Sequence, residues 1–273
     1  MAQSVDEIVK NAQELIVLGK LDVADELLTD TIRILNTTDI CPKDTDTTEY
    51  KSFFKPIEEV LYYHLFKPEK EVQLTGDDYS SLYRTYGRLL IEKQEFEKAK
   101  ENLVKSIRWN PMNLTAKFEY AESYRCLGDM GMFAAINAEI LKYAYHVRAV
   151  SRAYANLAIY FFDSKKTDIA IALIYVAMEL DRNFEGSKSI FDAISENGKR
   201  TIKKPNEKTI KKLFSQNSIQ LGVSDDIVSV LYSYGLHYAK LGQYRSAGYF
   251  LKYSYGLSAD PAVLRMLKIL PDN

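Results

Sequence analysis

The residues able to carry chemistry are few and scattered along the chain. His64, His146 and His237 stand at none of the spacings that put two ligands on one metal, so ordinary core or surface positions are expected for them. Ser52-Phe53-Phe54-Lys55 has the Ser-x-x-Lys spacing of an acylating serine and its lysine, but the Lys-Thr-Gly partner of such a site is missing. Asp44-Thr45-Asp46 begins like a calcium loop, which fails where Glu49 replaces the turn glycine and Lys55 the bidentate glutamate. Gly128 and Gly131 read as turn residues and not as a phosphate cradle. Cys41 and Cys126 form no metal or redox motif, and a disulfide between them is neither required nor excluded. Asp163 with Glu119 or Glu122 is the one carboxylate pair left open. No acid, base and nucleophile converge, so a protein without catalysis, cofactor or metal is expected.

Charge offers one more chemical feature. Between Lys199 and Lys212, seven of fourteen residues are basic (Lys199, Arg200, Lys203, Lys204, Lys208, Lys211 and Lys212) against the single acid Glu207. Such a run could meet the phosphates of a nucleic acid, yet it holds no aromatic ring for base stacking and reads better as a solvated linker and helix face. The whole chain of 273 residues carries a net charge of −1, which gives no global pull toward nucleic acid or membrane. Residues 1–79 nevertheless hold 17 acidic and 8 basic side chains, leaving a balance of +8 for the rest. An acidic end and a basic remainder could pair copies head to tail, so a homo-oligomer stays open as a reading.

The composition is that of a folded, non-membrane protein: 47% apolar, 27% charged, with seven Pro and twelve Gly. Twenty Tyr and twelve Phe suit helices that interlock through large rings. No apolar run approaches the ~20 residues of a membrane span. The start, Met1 to Lys10, lacks the basic and apolar regions of a secretion signal, and a cytoplasmic location is expected.

What must position any functional side chain is a spacing that returns four times. A small residue is followed twelve positions later by Ala and seven later by another small residue: Ala12–Ala24–Thr31, Gly87–Ala99–Ser106, Ala158–Ala170–Ala177 and Gly235–Ala247–Ser254. Helices that cross closely need small side chains at the crossing, so each set describes one helical hairpin, and four sets describe a stack of them. In the clearest unit Tyr83, Tyr86, Gly87 and Leu90 share one helical face, Phe96, Ala99, Leu103 and Ile107 share a second, and Pro111 ends it. Registers begin near 5, 80, 151 and 228, about two repeats of 34 apart, which predicts a further hairpin in each gap. Tyr120, Ala121, Tyr124, Gly128, Ala134, Ala138 and Leu141 supply one well. Between 39 and 79 the pattern is a polar loop, then a stripe of Tyr50, Phe53, Ile57, Val60, Leu61 and Leu65 with a kink or restart at Pro56. Between 185 and 227, Ile190, Phe191 and Ile194 suggest one helix and Ile210, Leu213 and Phe214 another, with the Lys-rich linker around Pro205 between them.

This pattern resembles the tetratricopeptide (TPR) repeat, through Tyr83, Tyr86-Gly87, Leu90, Ala99, Leu103, Ser106 and Pro111 and their equivalents in the other units. The resemblance implies an all-α fold: a right-handed α-α superhelix, or solenoid, of about seven hairpins, two of them irregular. It would form one domain over 1–273, with clear repeats near 5–38, 80–113, 114–150, 151–184 and 228–261 and divergent segments at 39–79 and 185–227. It also implies a non-catalytic interaction scaffold whose first helices line a concave groove for a protein or peptide partner. Transferred residue by residue, the groove positions are Arg84 and Arg88, then Phe118, Glu119, Glu122 and Arg125, then Arg152, Ala155, Asn156, Ile159 and Phe162. Arg would clamp a carboxylate and the rings fill pockets. The clamp that some members use for chaperone tails is not matched, because Glu119 would repel a carboxylate and Asn156 stands where a cation is needed. The alternatives are a nucleic-acid-associated repeat using 199–212, which is disfavoured, and a self-assembling structural or regulatory subunit. No membrane partner is expected.

Overall fold

A computed structural model describes residues 4–38, 40–198 and 201–271, and among them the chain forms 14 helices and one two-stranded sheet. It groups into two compact units, Met1–Asp129 and Met130–Asn273, a division that the single-domain expectation does not contain.

The first unit holds α1 (Val5–Val17), α2 (Leu21–Thr37), β1 (Thr48–Lys51), α3 (Pro56–Phe66), β2 (Glu71–Leu74), α4 (Tyr79–Glu92), α5 (Phe96–Trp109) and α6 (Leu114–Cys126). Side-chain caps start several helices: Ser4 and Glu7 form a reciprocal capping box on α1, Asp78 accepts the Ser81 N–H at 2.8 Å and Asn113 that of Ala116 at 3.0 Å. Ala12 and Ala24 in α1–α2, and Gly87 and Ala99 in α4–α5, are all buried. A Cβ on Gly87 would lie 2.6 Å from Leu103 Cγ, so α4 and α5 approach this closely only because that side chain is missing. Beside the crossing, Ser80 and Ser106 each donate a hydroxyl hydrogen bond to the other's carbonyl, at 3.0 and 2.8 Å.

The turns repeat as well. Seven residues after each crossing residue the backbone is left-handed, at Gly19 (φ 71°), Gln94 (φ 61°) and Gly128 (φ 83°). The next N–H closes the helix end, Lys20 on the Leu15 carbonyl at 2.9 Å, Glu95 on Leu90 at 2.8 Å and Asp129 on Tyr124 at 2.9 Å.

Segment 39–79 departs from expectation. It is not a divergent hairpin but a strand–helix–strand insertion whose strands pair in parallel, Thr48 with Glu71 through Lys51 with Leu74. Pro56 occupies the first turn of α3 rather than kinking a longer helix, so Tyr50 and Phe53 lie outside it, Tyr50 in β1. Hairpin α1–α2 packs directly on α4, and the insertion is looped out of the array between them. Polar bonds tie it down: the Ser52 N–H donates to the Trp109 carbonyl at 3.0 Å, and the Asn110 side-chain amide to Glu58 at 2.9 Å. The same Glu58 oxygen accepts the Phe54 and Lys55 N–H groups.

The second unit holds α7 (Met130–Tyr143), α8 (Val147–Asp163), α9 (Thr167–Leu180), α10 (Glu185–Gly198), α11 (Glu207–Gln216), α12 (Asp225–Lys240), α13 (Tyr244–Ser258) and α14 (Pro261–Ile269). Its hairpins α8–α9 and α12–α13 repeat the small crossing residues, a serine-to-carbonyl hydrogen bond and the left-handed turn of the first unit. Ala158 and Ala170 are fully buried, and a Cβ on Gly235 would meet Leu251 Cγ at 2.6 Å. The Ser151 hydroxyl donates to the Ala177 carbonyl and the Ser254 hydroxyl to that of Val228, each across the same 26-residue separation as Ser80 and Ser106. Left-handed turns fall at Lys165 (φ 62°) and Gly242 (φ 72°). Helices α10 and α11 stand in the stretch 185–227 as the two expected there. The unit is not a plain nearest-neighbour stack, because Tyr253 on α13 meets Tyr145 before α8 at 5.9 Å.

Candidate functional site

Crossing residues fix which face of each first helix turns inward. On α4, Tyr83, Gly87 and Leu90 are buried, which leaves Arg84 half-buried and Arg88 exposed on another face. Arg84 Nη1 lies 3.4 Å from Glu119 Oε1 on α6, with only 20% and 11% of the two side chains exposed. This pair corrects the idea of Arg84 as a carboxylate clamp, since its charge is already met. Phe118 is a second correction: it is 3% exposed and belongs to the core, as does the fully buried Ala155 on α8. Helix α6 is covered on several sides, with Leu114, Lys117, Phe118, Glu119 and Ser123 all buried, so a one-face rule misplaces its residues.

The rest of the first unit's face alternates in charge. Arg125 Nε bonds Glu122 Oε2 at 2.8 Å, and Arg88 Nη2 stands 3.5 Å from Glu92 Oε1. Pairs this exposed contribute little to stability, and a partner's charge can displace them at small cost. With Glu119 and Glu122 both paired to arginines, and Asp163 on α8 of the other unit, the open carboxylate pair is not assembled within either unit.

In the second unit α8 carries Arg152, Asn156, Ile159 and Phe162, all half-buried. Asn156 donates to Asn137 Oδ1 at 2.8 Å, and the fully buried Asn137 donates in turn to the Phe133 carbonyl at 2.8 Å, so Asn156 anchors α8 to α7. Ile159 and Phe162 leave apolar surface within reach of solvent. Sequence reasoning missed a cleft of about 340 Å³ at Leu157, Tyr160 and Phe161 of α8, where Ala134, Ala135 and Ala138 of α7 face the chain's own Ser218-Ile219. That returning segment is held by Tyr154, whose hydroxyl donates to the Gln220 carbonyl at 2.7 Å and accepts the Gly222 N–H at 2.8 Å. Burial pushes the Tyr154 hydroxyl well above the ordinary tyrosine range, so it stays a neutral donor. The alanine spacing at 134 and 138 was the available signal.

The chemistry-bearing residues of the sequence have structural employment. His146 caps α8 by accepting the Ala149 N–H at 3.1 Å. Ser52 hydrogen-bonds Thr75 at 2.8 Å. Asp44 accepts the Tyr50 N–H at 3.0 Å and pairs with Arg108 at 2.8 Å. Both cysteines are free thiols. Among the described residues no three His, Cys, Asp or Glu side chains gather as metal ligands, and no helix is long and apolar enough to cross a membrane. Of the basic run, Lys199 and Arg200 lie outside the described residues. Lys203, Lys204, Lys208, Lys211 and Lys212 are exposed, with Lys204 paired to Glu179 and Lys211 to Glu207 at 2.5 Å.

No family model matches the chain, and no curated protein does. Solved structures that are similar to it include three repeat proteins. YrrB, a TPR protein with an unusual peptide-binding site, is 14% identical over 78% of this chain and 98% of its own, with a TM-score of 0.35. A tetratricopeptide repeat protein from Parabacteroides merdae is 12% identical over 98% of both chains, at 0.42. A chain of the APC/C hetero-tetramer Cut9–Hcn1 is 13% identical over 96% of this chain and 48% of its own, at 0.39. Likenesses this distant carry no inference here, and the repeat character of the fold rests on its own hairpins.

Proposed function

We propose that the chain is a non-catalytic scaffold of the cytoplasm, which holds a protein or peptide partner against the outward faces of its first helices. One observation carries the reading: hairpins in a single register bury their crossing residues and leave a different row of side chains at the surface. In the first unit that row is charged, with Arg88, Glu122 and Arg125 the accessible members. In the second it is partly apolar, through Ile159 and Phe162. Arg88, whose own partner Glu92 is weakly held, would take a carboxylate of the partner, while Phe162 and Ile159 would supply the desolvated anchor. Arg84 and Glu119 shape the wall as a neutral pair.

The test is affinity capture from the native cell's lysate at low and high salt, followed by mass spectrometry, beside an Arg88→Ala, Phe162→Ala double variant and the two single variants. A protein retained at high salt by the wild type and lost by the double variant, at unchanged helicity, supports the reading. Capture that survives the double variant removes the groove. Nucleic acid in the eluate, lost on charge reversal of Lys203 and Lys212, would move the function to the basic run, and recovery of the chain alone would move it to self-assembly.

A further inference from the structure

The first unit contains a cleft that the first-helix faces do not use. Its volume is about 440 Å³, and it opens between the end of α2, the loop 41–44 and the last turns of α5. Three cations line it, Lys43, Lys105 and Arg108, against one carboxylate, Asp44. Asp44 occupies one edge of the Arg108 guanidinium, and the planar fork has further N–H donors. The guanidinium carbon lies 5.0 Å from the centre of the Trp109 ring, and the Lys105 ammonium 5.6 Å from that of Tyr83, so both cations are held over aromatic faces. Leu35 and Pro42 add an apolar wall.

The setting makes this concentration of positive charge pointed. The first unit, residues 1–129, carries 24 acids and 17 bases, so the cleft is a local exception in an acidic unit and not part of a general basic field. Burial pushes the Cys41 thiol up despite Arg108 and Lys43 nearby, so the sulfur stays neutral and adds no negative charge to the cleft. The size admits one or two side chains of a partner.

We propose that this cleft is a second recognition site, which takes an acidic side chain of a peptide partner, carboxylate or phosphate, between Lys43, Lys105 and Arg108, with the adjoining residue on Leu35, Pro42 and Trp109. It is built from second helices and a loop, with Tyr83 the sole first-helix member, so it stands or falls separately from the Arg88 and Phe162 faces.

Trp109 is the only tryptophan of the chain, so its emission reports on the cleft directly. The full chain would be titrated with inorganic phosphate, a short polyglutamate peptide and a phosphoserine peptide of equal length. The expected result is a saturable change in Trp109 emission with at least one peptide, weakening as salt rises. Affinity should fall about tenfold or more in Lys105→Glu, and be unchanged in Lys98→Glu, whose ammonium pairs with Glu95 at 2.6 Å outside the cleft. A matching thermal midpoint shows that Lys105→Glu is folded, and Lys105→Gln replaces it if it is not. Which peptide answers tells carboxylate from phosphate. No response to either peptide, a response to inorganic phosphate alone, or an equal loss in Lys98→Glu overturns the site.

Discussion

The two units use the same hairpin and differ in what lies between the hairpins. At α4–α5 and at α12–α13 a glycine faces a leucine sixteen residues on, with the same 2.6 Å to a would-be Cβ, and a serine hydroxyl meets a carbonyl across 26 residues. In the first unit the intervening segment is expelled as a strand–helix–strand insertion tethered by polar groups. In the second it stays helical, and the chain returns through 217–222 to hydrogen-bond Tyr154 on α8. Charge separates them too: 24 acids and 17 bases in 1–129 against 13 and 19 in 130–273. The crossing is thus fixed by steric demand, whereas the connecting segments and surfaces are free to diverge.

The strongest way to break that equivalence is to overpack both crossings. Gly87→Leu and Gly235→Leu should each cost about 1–3 kcal/mol, measured by denaturant unfolding. A neutral Gly235→Leu beside a damaging Gly87→Leu would mean that the two hairpins are alike in letters only. The tethers come next. Glu58→Ala strands the Asn110 amide and two N–H groups, at about 1–3 kcal/mol, and amide exchange should rise in 48–75 well before it rises in the second unit. Tyr154→Phe removes the hydroxyl from Gln220 and Gly222 for about 0.5–1.5 kcal/mol, and should expose the Gly222 amide to exchange.

Sequence showed the crossings because small residues at helical spacing have one cheap explanation, and Ala12, Gly87, Ala158 and Gly235 all lie where that explanation puts them. It did not show the insertion. Four-residue strands pairing in parallel 23 residues apart leave no periodic trace, and the apolar run from Tyr50 to Leu65 imitates a helix across Pro56. Proline in a first helical turn was the cue available there. At the candidate surface, Arg88 and Phe162 were placed by counting along a helix with one covered face. Phe118 failed because α6 is covered on several, which depends on neighbours and not on its own pattern. The cleft at Lys105 and Arg108 needed the loop 41–44 brought onto α5, a contact that no local spacing records.

Smaller effects sharpen the contrast between the units. For Asp44, burial raises the carboxyl pKa, but the Tyr50 N–H and Arg108 outweigh it, and for Asp25 the Lys93 ammonium does the same, so both end below the ordinary range. A folded pKa below the unfolded one gives stability that is present above the unfolded value and lost as pH falls through the folded one. Unfolding of the first unit should therefore steepen in acid, and Asp25→Asn with Asp44→Asn should flatten that limb. Smallest of all, Gln94 and Lys165 occupy left-handed turns that Gly19, Gly128 and Gly242 fill elsewhere. Gln94→Gly and Lys165→Gly should each stabilise by about 0.5–1 kcal/mol, seen as a raised denaturant midpoint.

The most direct measurement is amide hydrogen exchange of the full chain with and without the protein retained in the capture experiment. The account expects protection on the first helices α4, α6 and α8 around Arg88, Glu122 and Phe162, with α9 and α13 unchanged. Protection confined to the second helices, or to the lysines of 203–212, would contradict it.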